Sequence, residues 1–96
     1  MKNIAKILAI ARHANNMTQM ESHIISGVSL IYIQELENGK KTNVSGEVLA
    51  KLGNTYDLSL EQIFELDIFY SETSLPEKRR FRQTLAKALE MMKSNM

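Results

Sequence analysis

Apolar positions along this chain recur with helical rather than strand spacing. Ile4, Ile7, Leu8 and Ala11 fall at i, i+3, i+4 and i+7, one stripe of an amphipathic helix. Asn15 and Asn16 close it, because asparagine tolerates the left-handed conformation found at helix ends. Thr18-Gln19-Met20-Glu21 is a capping box, the hydroxyl meeting the N–H three residues on while the glutamate reaches back; it predicts a short helix from about Gln19 to Ile25. Ser26-Gly27-Val28 reads as a tight turn, with glycine supplying positive φ without steric cost. Ser29 caps a further helix that turns Ile33 and Leu36 inward and stops at Asn38-Gly39.

After a polar loop at 40–43, Val48, Leu49, Leu52 and Tyr56 again recur at helical spacing. Gly53 lies inside that helix, where it costs about 1 kcal/mol relative to alanine; a close helix crossing is the expected compensation. Ser59-Leu60-Glu61-Gln62 is a second capping box, opening a helix that carries Ile63 and Leu66. Residues 67–73 read either as a continuation of that helix or as an apolar segment packed on the core. Ser74-Leu75-Pro76-Glu77 is a third box, with proline in the first turn, where its missing N–H is harmless. The last predicted helix runs to about Lys93, with Phe81, Leu85, Ala88, Leu89 and Met92 on one side. Phe81, Leu85, Ala88 and Met92 are spaced 4, 3 and 4, the alternation of a coiled-coil-like seam, which makes this stripe a candidate dimerisation element; packing on the chain's own core is the alternative.

Size and composition narrow the function. Ninety-six residues and 10.9 kDa leave room for one compact domain and a short appendage. The absence of cysteine removes disulfides, thiolate nucleophiles and Cys-containing zinc sites. His13 and His23 are most simply surface or satisfied helical histidines, so neither a metal nor a cofactor is expected, and an enzyme reading has no support. No apolar run approaches a membrane span, and Lys6, Arg12 and His13 interrupt the start where a signal peptide needs apolar and small residues. A cytoplasmic domain without membrane contact is the expectation. The net charge of +1 hides a split: residues 1–66 carry six basic against seven acidic side chains, and residues 67–96 six against four. The densest basic run, KRRFR at 78–82, reads as the solvated face of a surface helix or as a nucleic-acid contact.

Two short helices about a one-glycine turn, set between a longer first helix and two more, have the layout of a helix-turn-helix domain. Residues 17–66 resemble the Cro/repressor-type (XRE) family of DNA-binding regulators. The resemblance rests on MTQ at 17–19, GVS at 27–29, the inward Ile33, LENGKK at 36–41 and VLAKLGNTYDLSLEQIF at 48–64. It implies a five-helix repressor-like helix-turn-helix domain over 1–66; with the capping boxes and apolar stripes the expectation is an all-α fold, with a linker or helix extension over 67–75 and an additional C-terminal helix over 76–94. It also implies a sequence-specific transcriptional regulator, a repressor bound as a homodimer to a two-fold site on double-stranded DNA.

Under that resemblance the helix after Ser29 enters the major groove, exposing Leu30, Ile31, Tyr32, Gln34 and Glu35 toward bases. Gln19, Ser29, Asn38, Lys40 and Lys41 are the expected phosphate contacts. Glu37 is expected to be structural, with Arg12 as its candidate partner. Two departures stand out. Residues 29–38 contain no Arg or Lys, so guanine reading by a basic fork is not available there. The family's buried Leu-Ala pair in the second helix aligns with Ser22 and His23, while Met20, Ile24 and Ile25 are apolar instead. Either that helix is rotated in its seat or its exposed face is unusually apolar. The second case favours a protein partner, and with it a degenerate helix-turn-helix acting as an antirepressor or as the partner of another regulator.

Overall fold

A computed structural model describes residues 3–72 of the chain. Among these it contains five helices and no strand: α1 (Ile4–Ala14), α2 (Gln19–Ser26), α3 (Leu30–Glu37), α4 (Gly46–Thr55) and α5 (Leu60–Glu72). The all-α expectation holds. Residues 76–93, with Phe81, Leu85, Ala88, Leu89 and Met92, lie outside the described residues.

Each boundary follows from local chemistry. Asn16 closes α1 in the left-handed region at φ 54°. Thr18 Oγ1 accepts from the Glu21 N–H at 3.0 Å, and the Glu21 carboxylate accepts from the Thr18 N–H at 3.0 Å, so the expected capping box is formed. Gly27 adopts φ 77°, which lets α2 end and the chain turn within three residues. Ser29 and Ser45 cap α3 and α4 through their hydroxyls. Ser59 and Gln62 form the second reciprocal box, at 2.9 and 3.1 Å. The ambiguous stretch after Leu66 continues as helix through Glu72.

The start of α1 is completed from far away in sequence. No side chain of α1 caps it. Instead the Asn3 N–H donates to Asp67 Oδ1 on α5 at 2.8 Å, and the Asn3 amide donates to Ser71 Oγ at 2.7 Å. A buried carboxylate at a helix N-terminus also meets the positive end of the helix dipole. The first and last described helices are thereby pinned together.

Ile7 and Leu8 of α1, Ile33 and Leu36 of α3, Leu52 of α4, and Ile63 and Leu66 of α5 form the fully buried centre. Gly53 shows why a glycine is placed there. A Cβ at that position would stand 2.8 Å from the Leu58 carbonyl oxygen and 3.0 Å from the Ile63 side chain. The close approach is therefore made by the returning chain as well as by α5, and the Leu58 N–H donates to the Gly53 carbonyl at 2.7 Å.

Candidate nucleic-acid interface

α3 and the turn sit on the apolar core through Val28, Ile33 and Leu36, whereas α2 is seated through polar contacts. Among α2 residues only Ser22 is buried, and it is fully so. Its hydroxyl accepts a hydrogen bond from the buried Tyr56 hydroxyl at 3.0 Å. Burial raises the Tyr56 phenol above its ordinary value, which keeps it protonated as the donor. His23 reaches the Val28 carbonyl at 2.6 Å. A carbonyl only accepts, so His23 Nδ1 carries the proton and clasps the turn. The Ser26 hydroxyl accepts from the Val28 N–H at 3.0 Å on the same turn.

The opposite ends of the pair are tied by a charged network. Arg12 donates to Glu37 through two parallel bonds of 2.8 Å, and both side chains are about 90% buried. Its remaining nitrogen donates to the Met17 carbonyl at 2.7 Å, fixing the chain just before α2. The Gln19 amide nitrogen donates to Glu37 at 3.1 Å. The hydrogen bonds to Glu37 raise the Arg12 pKa further, so the guanidinium stays charged. Glu37 thus joins the end of α3 to the start of α2 and to the first helix. This is the structural role expected for Glu37 and Arg12.

Around α3 the expected contact residues divide into two groups. Ile31 and Gln34 lie on the outward face and are exposed, Ile31 by 67%, with Lys40 and Asn38 exposed just beyond the helix end. Ser29 is exposed and Leu30 half-buried at the start of the helix. Tyr32 and Glu35 instead sit beside the 38–45 loop. Tyr32 is half-buried against the core, and its hydroxyl accepts from the Ser45 N–H at 3.3 Å. Lys41 Nζ lies 4.4 Å from the Tyr32 ring centroid and 4.0 Å from the Glu35 carboxylate, and the Lys41 N–H donates to the Glu35 carbonyl at 3.1 Å. Tyr32 and Glu35 therefore shape the loop that carries Lys41. Asn38 accepts from the Lys40 N–H at 3.1 Å, ordering the other lysine of the pair.

The outer face of α2 resolves the choice left by the alignment. Ser22 occupies the buried side and His23 is half-buried. Met20, Ile24 and Ile25 are exposed by 50, 70 and 60%. Positive charge is sparse: the described residues hold five basic and nine acidic side chains. Lys51 pairs with Glu47 at 3.0 Å, Arg12 is buried and Lys6 lies over the Tyr70 ring, so the cations beside α3 are Lys40 and Lys41, the latter 4.0 Å from Glu35.

Other chemistry has little foothold. A pocket of about 390 Å³ between α1, the 42–44 loop and α4 is lined by Ile4, Thr42, Asn43, Val44 and Leu49, none of them titratable. Among the described residues no three His, Asp or Glu side chains converge as a metal site, and no helix is long and apolar enough to cross a membrane. Two structural pairings escape the sequence pattern: Ser22 with Tyr56, and Asn3 with Asp67. A tyrosine at a core position signals a need for a hydroxyl partner, but nothing local identifies a serine 34 residues away. No family model matches the chain, and no curated protein or solved structure matches it.

Proposed function

We propose that the chain is a DNA-binding transcriptional regulator of repressor-like helix-turn-helix architecture, with α3 reading the major groove of double-stranded DNA. One observation carries this: α3 is locked to α1 and α2 through the Arg12–Glu37–Gln19 network while its outward row, Ile31 and Gln34, stays exposed beside the ordered Lys40-Lys41 pair. A rigidly held helix with a free face and flanking cations suits groove insertion. In this role Gln34 hydrogen-bonds base edges and Ile31 meets thymine methyl groups. Lys40 and Lys41 hold phosphates. Tyr32 and Glu35 act by positioning the lysine loop rather than by touching bases. With only two cations per copy at the interface, two linked copies on a two-fold site would combine two weak contacts into a useful one.

A titration of the full chain against mixed-sequence duplex at two salt concentrations tests the reading. Salt-sensitive binding that is lost on changing Lys40 and Lys41 to alanine supports it. Binding that ignores both salt and these lysines contradicts it.

The exposed row Met20, Ile24, Ile25 and Ile31, together with the acidic balance, favours a second reading: a helix-turn-helix whose outer face docks a protein. In that case Ile24→Ser and Ile31→Ser abolish partner capture, and the Lys40/Lys41 double change leaves it intact.

A further inference from the structure

The outward surface of α3 is defined by what its neighbours leave unengaged. Ile33 and Leu36 are buried, so the opposite side of the helix carries Ile31, Gln34, Glu35 and Asn38. Two of these four are already occupied. Glu35 lies 4.0 Å from Lys41 Nζ, and the Asn38 side chain accepts from the Lys40 N–H. Among the described residues the Gln34 amide has no partner, and Ile31 is 67% exposed. The free readers are one amide and one aliphatic side chain, three residues apart on the same face.

The bases differ in how well they answer these two groups. In the major groove adenine presents an acceptor, N7, beside a donor, its N6 amino group, and an amide meets them with its own donor and acceptor. Guanine presents two acceptors, N7 and O6, which suit a basic fork, and residues 29–38 hold no Arg or Lys. Cytosine presents a donor that suits a carboxylate, and the Glu35 carboxylate is turned to Lys41. The C5 methyl of thymine is the apolar group that an isoleucine can touch. Side chains at i and i+3 stand about 5–6 Å apart, against about 3.4 Å between successive base pairs. The two contacts therefore fall on the same or neighbouring pairs.

We infer that the half-site read by α3 is built on A·T pairs, with the Gln34 amide on adenine N7 and N6 and Ile31 on a thymine methyl in the same or an adjacent pair. A G·C pair there sets the Gln34 carbonyl against guanine O6, acceptor on acceptor, and leaves Ile31 a cytosine edge without a methyl group. The inference rests on α3 reading DNA and adds which bases it takes.

The test starts from the duplex that the full chain enriches from a random pool. Each thymine is replaced in turn by uracil, which pairs identically and lacks only the methyl. Each adenine is replaced in turn by 7-deazaadenine, which lacks only the N7 acceptor. The native chain should lose affinity several-fold at one uracil position and at one 7-deazaadenine position, on the same or adjacent pairs. Ile31→Ala should bind the thymine and uracil duplexes alike while still sensing 7-deazaadenine, and Gln34→Ala should show the converse. Both residues are exposed, so neither change touches the core. Equal affinity of the native chain for every analogue duplex would overturn the inference and leave DNA reading by α3 standing. So would selection that the two variants relax at G·C pairs instead. Analogue effects that persist unchanged in both variants would overturn it too. A pool from which the native chain enriches nothing would remove the reading on which the inference rests, and the inference with it.

Discussion

The molecule shows two apolar outer faces, one on α2 and α3 and one on α5, and they differ in what lies beneath them. Under α5 the seat is apolar: Ile63, Leu66 and Tyr70 are buried. Under α2 it is polar, with Ser22 bound to Tyr56 and Gln19 bound to Glu37. Both surfaces are exposed, Leu60, Phe64 and Ile68 on one and Met20, Ile24, Ile25 and Ile31 on the other, so the contrast lies in the seats.

The largest expected effect comes from breaking the polar seat. Glu37→Ala strands the Arg12 guanidinium in a buried site, and the loss should be about 3–5 kcal/mol in a urea unfolding curve. If the loss is under about 1 kcal/mol, the network is not what holds the α2–α3 pair.

Next in size is a direct contrast of the two faces. In the full chain, Ile63→Ala in the seat of α5 should lower stability by about 2–4 kcal/mol, the scale for a fully buried aliphatic side chain. Ile24→Ala, on a face left open for a partner, should stay within about 0.5 kcal/mol. Equal effects would erase the distinction between the faces.

How far the sequence disclosed this arrangement depended on the range of each interaction. The capping boxes at Thr18 and Ser59 were legible because both partners lie within four residues. The continuation of α5 past Leu66 was not, since no cap or breaker in the sequence decides between helix and packed coil there. Gly53 signalled a close approach, but the Leu58 carbonyl that makes it lies where the chain turns back. In the interface, the pairing of Glu37 with Arg12 was legible through the resemblance. The side position of Tyr32 was not, because it depends on where the loop at 38–45 returns. Ser22 was a misfit on the buried side until Tyr56, just past the end of α4, supplied its bond.

That bond gives a smaller, sharper test of the α2 seat. Ser22→Ala and Tyr56→Phe each leave one buried hydroxyl unpaired and should each cost about 1–3 kcal/mol. The double variant removes both groups and should cost clearly less than the two losses added. Strict additivity would mean the two hydroxyls act separately.

The smallest effect is at the exposed start of α2. Hydrogen bonds with Thr18 hold the Glu21 carboxyl below its ordinary value. A lowered folded-state pKa adds stability above the usual carboxylate range, and this is lost as pH falls through the folded value. The stability difference between the native chain and Glu21→Gln should therefore be present at neutral pH and shrink in acid. A difference that grows in acid has the wrong sign for this cap.

The claim that α3 reads DNA is tested most directly by enriching bound duplexes from a random pool with the native chain and with an Ile31→Ser/Gln34→Ala variant. The native chain should enrich one related set of sites, while the variant keeps weak, salt-sensitive binding and enriches none, because phosphate contacts survive without base contacts. Enrichment of the same sites by both proteins, or of none by the native chain, would contradict it.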